Sequence, residues 1–506
     1  LLRLKEGHVR PEDNFFDVGG HSLAAAQLLS SVDGAFGVRL SMRELLESPT
    51  VAGMCDAIEA RQQREGNGRE ADEERPAIDL RSEAVLEPDI APEEGNVGEA
   101  ITLQDARRVF LTGATGFLGA FLLDALLSRT EAEVHCLVRP RKGVDADPVA
   151  PIHANLQRYG LWQPGYAERI VPVVGDLSKP LLGMVEEDFH ALARRLDLVI
   201  HNGAAVNLIY PYAGLKPANV NGTREVLRLA CLYKTKPVHY VSTNGIFPPG
   251  TPLCEEDVDL DTLAEAREDG YGQSKWVAEK LVWEAAGRGL PVAVYRPGNI
   301  SGHSTSGASN PRDFQGALIV ESLRLGRAPQ LDGWRMEMTP VDFMSHAICH
   351  LAGEPGTLGQ VFHLVDPNPV PAERVFAWLK ELGYPLERLD YPDWLEALRE
   401  SPEEDANDVA GSILGGAASE TYELWDGNIY DDSNTRRALQ GSELRRPQID
   451  ASLFRNYVRY FVEEGWVEPP PESSDPLSAC IKTESGSASK MPRRGWKGSK
   501  PLDVTW

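Results

Sequence analysis

The chain has 506 residues, a length that predicts two to four domains of about 100 to 200 residues each. Its content of hydrophobic residues (42%) and charged residues (25%) is that of a folded globular protein, which excludes a fibrous or largely disordered chain. The formal net charge of -25 excludes a sequence-independent nucleic-acid partner, because phosphate binding needs clustered lysine and arginine, and no apolar stretch approaches the roughly 18 residues that would cross a membrane.

Six cysteines are scattered along the chain, without a CxxC pair or the cysteine and histidine spacing of a metal site. This pattern predicts neither a structural zinc site nor a disulfide framework, and no metal is expected. A reducing, cytoplasmic location is therefore the expectation. The sequence begins with Leu1 rather than methionine and has no signal-peptide pattern, so we expect it to be a piece of a longer chain.

Residues 1–64 contain short helical patterns and predict a small all-α module. Its most distinctive string is DNFFDVGGHSLAAAQLL, residues 13–29, where Ser22 follows two glycines and a histidine at the start of an apolar helix. The spacing alone leaves two interpretations open. Serine is a favoured N-terminal helix cap, and it can also present a functional hydroxyl on a turn.

Residues 65–107 are acidic and poor in aromatic residues, which predicts a flexible linker. A segment of this linker could equally pack on the domain that follows. At the other end of the chain, residues 469–506 are rich in proline, serine and glycine and predict a disordered tail.

Residues 108–468 form the largest predicted domain. Runs rich in β-forming residues alternate there with helical runs, which predicts an α/β fold with a doubly wound parallel sheet covered by helices on both faces. The alternation loses its regularity near residue 310. We expect the helical patterns beyond that point to form a smaller C-terminal substrate lobe that closes over the cofactor.

The first strand of this domain runs into a glycine-rich turn, in the string VFLTGATGFLG. Gly113, Gly116 and Gly119 stand between a strand and an apolar helix, as a Rossmann dinucleotide site requires. Glycines let the backbone approach a pyrophosphate, which the free N–H groups of the helix N-terminus can bind. We predict that Gly113, Thr115, Gly116, Phe117 and Gly119 bind the cofactor; the alternative is a tight turn with close packing.

The end of the second strand indicates which nicotinamide cofactor is used. Enzymes that use NAD place an acid there for the ribose 2′-hydroxyl, whereas this chain has Arg139, followed by Arg141 and Lys142 in CLVRPRK. Cations suit a 2′-phosphate, so the sequence favours NADPH. The alternative for these residues is a solvated basic turn.

Three residues are candidates for the chemistry: Thr243, at the end of the strand VHYVST, and Tyr271 and Lys275, in GYGQSKWVAEKL. Residues four apart on a helix share one face, so the tyrosine and the lysine are predicted to lie side by side. A nearby ammonium would lower the pKa of the phenol from about 10 toward neutrality and make it a usable proton donor.

Residues 108 to about 468 resemble the extended short-chain dehydrogenase/reductase family, and specifically the terminal thioester reductase domains of nonribosomal-peptide-synthetase-like enzymes and carboxylic acid reductases. The resemblance rests on the strings TGATGFLG, CLVR, GDL, HNGA, NVNGT, YGQSKWVAE and RPGNI, in that order. It implies further contacts with NADPH: Asp176 and Leu177 at the adenine, Asn202, Gly203 and Ala204 at the ribose and pyrophosphate, and Pro297 and Asn299 at the nicotinamide. Many relatives carry a longer serine run before the strand end, so Ser242 stays an alternative to Thr243.

The string DNFFDVGGHSL resembles the phosphopantetheine attachment motif of peptidyl and acyl carrier domains, and the similarity extends over residues 1–64. It implies a four-helix bundle with a 4′-phosphopantetheine arm attached covalently to Ser22. It also implies that a phosphopantetheinyl transferase approaches the surface formed by Asp17, Gly19, Gly20 and His21. Phe15 and Phe16 are implied to pack beneath the loop.

A carrier serine and a reductase on one chain imply that the substrate is an acyl group delivered as a thioester on the pantetheine arm. The resemblance also implies an upstream adenylation domain of the same full-length chain, which selects the acid. The expected activity is NADPH-dependent release of an aldehyde, or of an alcohol after a second reduction. In it Thr243 and Tyr271 hydrogen-bond the developing oxyanion, and Lys275 orients the nicotinamide ribose and tunes the phenol.

Three other functions fit the sequence less well. A release domain that cyclises the acyl chain would make no use of NADPH, and the glycine turn and Tyr271 disfavour it. An epimerase or dehydratase for nucleotide sugars is disfavoured by the fused carrier motif. A non-catalytic module that only holds the loaded carrier is disfavoured because Thr243, Tyr271 and Lys275 are all present.

Overall fold

The computed structural model describes most of the chain between residues 10 and 471. The described residues are 10, 11, 13, 15, 22–38, 40, 44, 45, 48–65, 78–93, 101–139, 147–207, 210–264, 269–310, 313–400 and 428–471. None of the helices within these ranges is both long enough and apolar enough to span a bilayer.

The helices and strands follow in chain order. The helices are α1 Ser22–Phe36, α2 Val51–Glu65, α3 Leu80–Glu83, α4 Phe117–Arg129, α5 Ala150–Arg158, α6 Glu186–Arg195, α7 Tyr212–Lys216, α8 Gly222–Cys231, α9 Gly270–Gly287, α10 Phe314–Leu325, α11 Val341–Ala352, α12 Ala372–Glu381, α13 Tyr391–Glu400, α14 Ser433–Ala438 and α15 Ala451–Glu463. The strands are β1 Arg108–Thr112, β2 Glu133–Val138, β3 Ile170–Val174, β4 Leu198–His201, β5 Val238–Val241, β6 Val292–Pro297, β7 Ile300–Ser301, β8 Arg327–Pro329, β9 Arg335–Met336, β10 Thr339–Pro340, β11 Val361–Leu364, β12 Val370–Pro371 and β13 Glu387–Leu389. A π-helical turn, Pro217–Asn221, joins α7 to α8.

Two helices of the N-terminal module, α1 and α2, lie within the described residues. A small apolar cluster is buried in this module: Val32, Val38, Leu40 and Ile58. Glu44, between the two helices, forms an ion pair with Arg61 of α2 at 3.0 Å. Ser22 is the first residue of α1, at the helix start predicted for it. The predicted loop residues Phe16, Asp17, Gly19, Gly20 and His21 lie outside the described residues.

The centre of the larger domain is a parallel sheet. Among the described residues it has seven strands, in the order β11-β6-β5-β4-β1-β2-β3. Phe110 in β1 stands opposite His135 of β2 on one side and Val199 of β4 on the other. This confirms the predicted Rossmann-type parallel sheet.

Alternate side chains of β1 point to opposite faces of the sheet, and both faces are covered. Val109 and Leu111 belong to the core that α4 and α11 complete, whereas Phe110 belongs to the core beneath α8 and α9. A strand buried on both faces must be apolar throughout, which explains its continuous hydrophobic run.

The region beyond residue 310, which the sequence assigns to the lobe, also contributes the edge strand β11 to the central sheet, and its other segments form helices and short ladders. Strand β10 pairs with β7, β12 with β9, and β13 with β8. Phe454, Trp378 and Trp394 of this region belong to the same buried cluster as α4. The C-terminal lobe therefore shares one hydrophobic core with the sheet.

Residues 78–93 lie in the predicted flexible linker, and the structure agrees here with the alternative that a segment of it packs on the following domain. Leu80, Leu86 and Ile90 are buried in the core beside α9. Arg288, at the end of α9, donates to the carbonyls of Leu86, Glu87 and Ile90 at 2.6 to 3.0 Å. Three spaced apolar residues in an acidic stretch are enough to bind it to the domain, because their burial offsets the entropy of ordering the chain.

Replacing Arg288 with alanine tests this attachment. We expect Arg288→Ala to lower the free energy of unfolding by about 2 kcal/mol, since it removes several charge-assisted hydrogen bonds. Amide hydrogen exchange of residues 80–90 should accelerate while that of β1 stays slow. Lys280→Ala on the same helix removes only a half-exposed pair with Asp261 and should change neither quantity. Unchanged exchange at residues 80–90 in Arg288→Ala would contradict the attachment.

Candidate active site

A glycine turn follows β1 at the carboxyl edge of the sheet. Gly113 has a φ of +76°, a conformation that L-residues with side chains rarely adopt. A Cβ built on it would lie 2.8 Å from Nδ2 of Asn202 and 2.9 Å from Cα of Gly203. The turns after β1 and β4 thus lie in contact, and neither Gly113 nor Gly203 has room for a side chain.

The same turn begins α4 and leaves its first N–H groups available. Gly116 is the N-cap of α4 and has no side-chain cap, and a Cβ on Gly119 would lie 1.9 Å from the carbonyl oxygen of Gly113. Asn155 of α5 donates to the carbonyls of Ala114 and Gly116, at 3.2 and 2.9 Å, and so holds the loop. An exposed backbone cradle at a helix N-terminus fits the pyrophosphate of a dinucleotide.

Two side chains of the turn face different surroundings. Thr115 is exposed, next to the cradle. Phe117 is half-buried and packs edge-on against Phe121 and Tyr159, with ring centroids 5.4 and 5.2 Å apart. The contribution of Phe117 to a cofactor site would therefore come from its backbone.

Arg139, Asp176 and Leu177 follow strands β2 and β3 at the same edge. Arg139 is exposed directly after β2, whereas Arg141 and Lys142 lie outside the described residues. Asp176 accepts hydrogen bonds from the backbone and hydroxyl of Ser178, at 2.9 and 2.8 Å. Leu177 lies against Gly203, where a Cβ would come within 2.8 Å of its side chain.

Asn202, Gly203 and Ala204 follow β4 and are held by buried hydroxyls. The backbone of Gly203 donates to Oγ1 of Thr112 at 2.7 Å, and this hydroxyl also bonds Nδ1 of His201 at 2.8 Å. Burial, together with the charge of Lys275, lowers the pKa of His201 to about 3, so its ring is neutral. The structure thus brings the turns after β1 and β4 together at the predicted place.

The three candidate catalytic residues meet at the end of β5. Tyr271 and Lys275 lie on α9, and Thr243 is the N-cap of a short turn whose hydroxyl accepts from the N–H of Gly245 at 3.0 Å. The Thr243 hydroxyl also lies close enough to the phenol of Tyr271 to influence its pKa. Nζ of Lys275 donates to the carbonyl of Val241 at 2.9 Å and lies 4.4 Å from the centre of the Tyr240 ring.

The protonation of these groups follows from their burial. Burial raises the pKa of Tyr271 to about 12, and the neighbouring Thr243 hydroxyl counters this effect. The pKa is therefore raised, whereas the sequence predicted that Lys275 would lower it. Burial lowers the pKa of Lys275 to about 7, and the carboxylate of Glu279 opposes this shift. At neutral pH the phenol therefore carries its proton.

The side chain of Ser242, the alternative to Thr243, points away from Tyr271. Its hydroxyl is buried and donates to Oε2 of Glu279 at 2.5 Å. Thr243 is half-exposed and contacts Tyr271, so of the two hydroxyls it is the one placed beside the phenol.

Pro297 and Asn299 border the far end of the site, after β6. The backbone N–H of Asn299 donates to the buried carboxylate of Glu337, which also accepts from Thr339 at 2.7 Å. Burial raises the pKa of Glu337 to about 7 against the effect of these donors. Asn299 lines a small recess together with Asp313 and Tyr457.

Comparison with known proteins decides the family. Residues 111–348 match the NAD-binding family described as Male sterility protein, and residues 1–58 match the family described as Phosphopantetheine attachment site. The chain is similar to the terminal R domain of the myxalamid PKS-NRPS pathway, with 40% identity and a TM-score of 0.70. That match covers 78% of this chain and 99% of the other. The chain belongs to the terminal reductase domains of nonribosomal peptide synthetases.

Other relatives of this reductase domain agree. It is 43% identical over 498 residues to the glycine betaine reductase ATRR of Emericella nidulans, covering 95% of this chain and 38% of the relative. It is 40% identical to a linear gramicidin synthase of Brevibacillus parabrevis, covering 90% of this chain and 9% of the relative. The chain thus spans less than half the length of these two relatives. The reductase domain of a Mycobacterium tuberculosis synthetase is 26% identical, with a TM-score of 0.64, over 77% of this chain and 100% of the other.

The family models imply a phosphopantetheine arm and a nicotinamide dinucleotide, as predicted. Sequence reasoning missed several residues of the reductase site: Asn155, Glu279, Arg296 and Glu337. Two of them carried a local signal: Glu279 lies four residues after Lys275 and so shares its helix face, and Arg296 directly precedes Pro297 in the string RPGNI. Asn155 and Glu337 reach the site from distant parts of the chain.

Gly119→Ala tests the cradle of the reductase domain. Its methyl group would collide with the carbonyl of Gly113, and backbone strain of this kind costs on the order of 1–3 kcal/mol. We expect dinucleotide affinity, measured by titration of NADPH fluorescence, to fall about tenfold or more. Gly165→Ala is the matched control, because nothing lies within 4 Å of a Cβ there. Wild-type affinity in Gly119→Ala would contradict this account of the turn.

Proposed function

We propose that this chain uses NADPH to reduce an acyl thioester, carried on a phosphopantetheine arm at Ser22, and so releases an aldehyde. The observation that supports this most is the meeting of Thr243, Tyr271 and Lys275 beside the glycine cradle. A carrier domain on the same chain supplies the form of the substrate.

The proposed roles follow from the position and protonation of each side chain. When bound, NADPH supplies the hydride that reduces the acyl carbonyl. Tyr271, protonated at neutral pH, and Thr243 donate hydrogen bonds to the carbonyl oxygen as negative charge develops on it. Tyr271 then gives up its proton, and Lys275 stabilises the resulting phenolate and orients the ribose. The C–S bond of the thiohemiacetal breaks, which yields an aldehyde and the carrier thiol.

The glycine turn would hold the cofactor's pyrophosphate, with Thr115 beside it. By position, Asp176 and Leu177 would border the adenine, Asn202 to Ala204 the ribose, and Pro297 and Asn299 the nicotinamide. Arg139 is exposed after β2, where a cation suits a 2′-phosphate, and this supports NADPH over NADH.

The attachment of residues 78–93 shortens the proposed tether between carrier and reductase. Residues 66–77, twelve in number, separate the end of α2 from the first packed residues. A chain of that length spans at most roughly 40 Å when extended. A short link of this kind gives an effective concentration on the order of millimolar, so weak and transient docking of the carrier would be sufficient.

The partners proposed for the full-length protein come from its family. An upstream adenylation domain would load the acid, and a phosphopantetheinyl transferase would modify Ser22. A glycine betaine thioester is the first substrate to test, because a relative is named for that acid. A cytoplasmic location is proposed, supported by Cys136, Cys231, Cys254 and Cys349, which are buried and free.

Tyr271→Phe tests the reductive chemistry. With protein modified at Ser22 and loaded with an acyl group, we expect the rate of NADPH oxidation to fall about 100-fold or more, because the proton donor is lost. Tyr391→Phe, in helix α13 of the lobe, should keep the wild-type rate. The released product should be an aldehyde by mass, and acyl release without NADPH consumption would refute the proposal.

Arg139→Ala tests the cofactor preference. Loss of a charge-assisted contact with the 2′-phosphate should raise the KM for NADPH about tenfold and leave the KM for NADH unchanged. Arg107→Ala is the control, since Arg107 is equally exposed but lies at the opposite end of β1. An unchanged KM for both cofactors, or an equal rise in both, would contradict a contact between Arg139 and the 2′-phosphate.

A further inference from the structure

A buried ion pair lies directly beneath the candidate active site. Glu279 of α9 and Arg296 of β6 have side-chain exposures of 0% and 1%, and Nη2 of Arg296 lies 2.6 Å from Oε1 of Glu279. Nε of the same arginine lies 3.1 and 3.2 Å from the two carboxylate oxygens. The pair thus joins the helix that carries Tyr271 and Lys275 to the strand that leads into Pro297.

The same carboxylate also holds the end of β5. Oε2 of Glu279 accepts the hydroxyl of Ser242 at 2.5 Å, and the backbone of Ser242 donates to the carbonyl of Tyr295 at 2.7 Å. Thr243 is the next residue along the chain. One side chain on α9 therefore determines where β5 ends and where Thr243 begins its turn.

The remaining hydrogen-bonding groups of Arg296 are also satisfied. Nη1 donates to the carbonyl of Glu256 at 3.0 Å and lies 3.1 Å from Nε2 of His363. Burial and the neighbouring guanidinium lower the pKa of His363 to about 3, so its neutral ring can accept that bond. A buried ion pair is seldom the most stable solution for a core, because apolar residues of equal volume often do as well or better. The pair therefore needs an explanation other than stability.

The charges around Lys275 indicate a role for the Glu279–Arg296 pair in the candidate active site. The amine donates to the carbonyl of Val241, and three side chains lie around it: the ring of Tyr240 from β5, the neutral ring of His201 from β4, and Glu279, four residues further along its own helix. Of these three, Glu279 is the anion, and its charge opposes the desolvation that would otherwise remove the proton from the amine.

We propose that Glu279 is a positioning residue for the reduction: it holds Ser242, and through it Thr243, against α9, and its carboxylate, one helical turn after Lys275, favours the protonated amine. This inference rests on the proposed function, since it assigns Glu279 a role through the three residues named there. Glu279 itself is fully buried and acts through Ser242, whose hydroxyl it accepts.

The test is the pH dependence of NADPH oxidation by acyl-loaded protein carrying Glu279→Gln. At pH 8 we expect kcat to fall about tenfold or more, while the KM for NADPH stays within about twofold. Glu279→Gln removes the negative charge of the carboxylate and leaves the positive charge of Arg296 unpaired. Both changes favour the neutral form of Lys275. The alkaline limb of the profile should therefore move down by about one pH unit or more, and activity should partly recover at pH 6.

Two further variants separate position from charge and from general stability. Ser242→Ala keeps the ion pair, and we expect it to lower kcat about tenfold without moving the alkaline limb. Glu256→Gln alters another carboxylate with 1% exposure, which bonds the backbone of His363 and Asn434 and makes no contact with Ser242. It should leave the limb where it is in the wild type. If Glu279→Gln does not fold, Ser242→Ala decides whether the positioning role holds.

Unchanged kcat and an unmoved limb in folded Glu279→Gln would overturn the inference, as would full activity of Ser242→Ala. Lys275→Met measured alongside separates this failure from that of the proposed function. If Lys275→Met is inactive while Glu279→Gln behaves as wild type, only the role of Glu279 is wrong. If Lys275→Met is fully active, the proposed function itself fails.

Discussion

The reversal of strand order at β1 is the constraint on which the rest of the structure depends. The chain moves outward from β1 through β2 and β3 on one side, then returns to lay β4, β5, β6 and β11 on the other. Connections that leave in opposite directions open a crevice above the carboxyl ends of the two neighbouring strands. Here that crevice is lined by backbone, because Gly113 and Gly203 approach so closely that a Cβ on the first would lie 2.9 Å from the second.

Strands on the β4 side of the crevice also deliver the reactive groups. Because parallel strands end at one edge, Thr243 after β5 and Asn299 after β6 come beside the turns that form the cradle. Helix α9 crosses this edge and contributes Tyr271 and Lys275 from within the protein, where burial opposes every charge. A phenol that keeps its proton and an amine poised near neutral pH are both consequences of that burial.

The same helix connects the site to the carrier side of the chain. Its C-terminal residues Glu284 and Arg288 bind residues 86–90, so the chain that leads from the carrier is anchored on the helix that carries Lys275. Anchoring leaves residues 66–77 as the link between the two packed parts, and a shorter link raises the effective concentration of a tethered group. The C-terminal lobe contributes from the other side through Glu337, which holds the backbone of Asn299.

The sequence by itself determined the fold class, the glycine turn after β1 and the placement of Tyr271 and Lys275 on one helix, because each depends on short-range periodicity or on a turn that few residues can form. The tertiary structure alone decided that Ser242 faces Glu279 while Thr243 faces the phenol, that burial raises rather than lowers the pKa of Tyr271, and that residues 78–93 pack on α9. Arg296 meets Glu279 across 17 positions, and Glu337 meets Asn299 across 38. Such pairings form only when segments that are distant in sequence pack together in the folded chain. Desolvation of the paired groups follows from the same packing, so a local sequence pattern predicts neither.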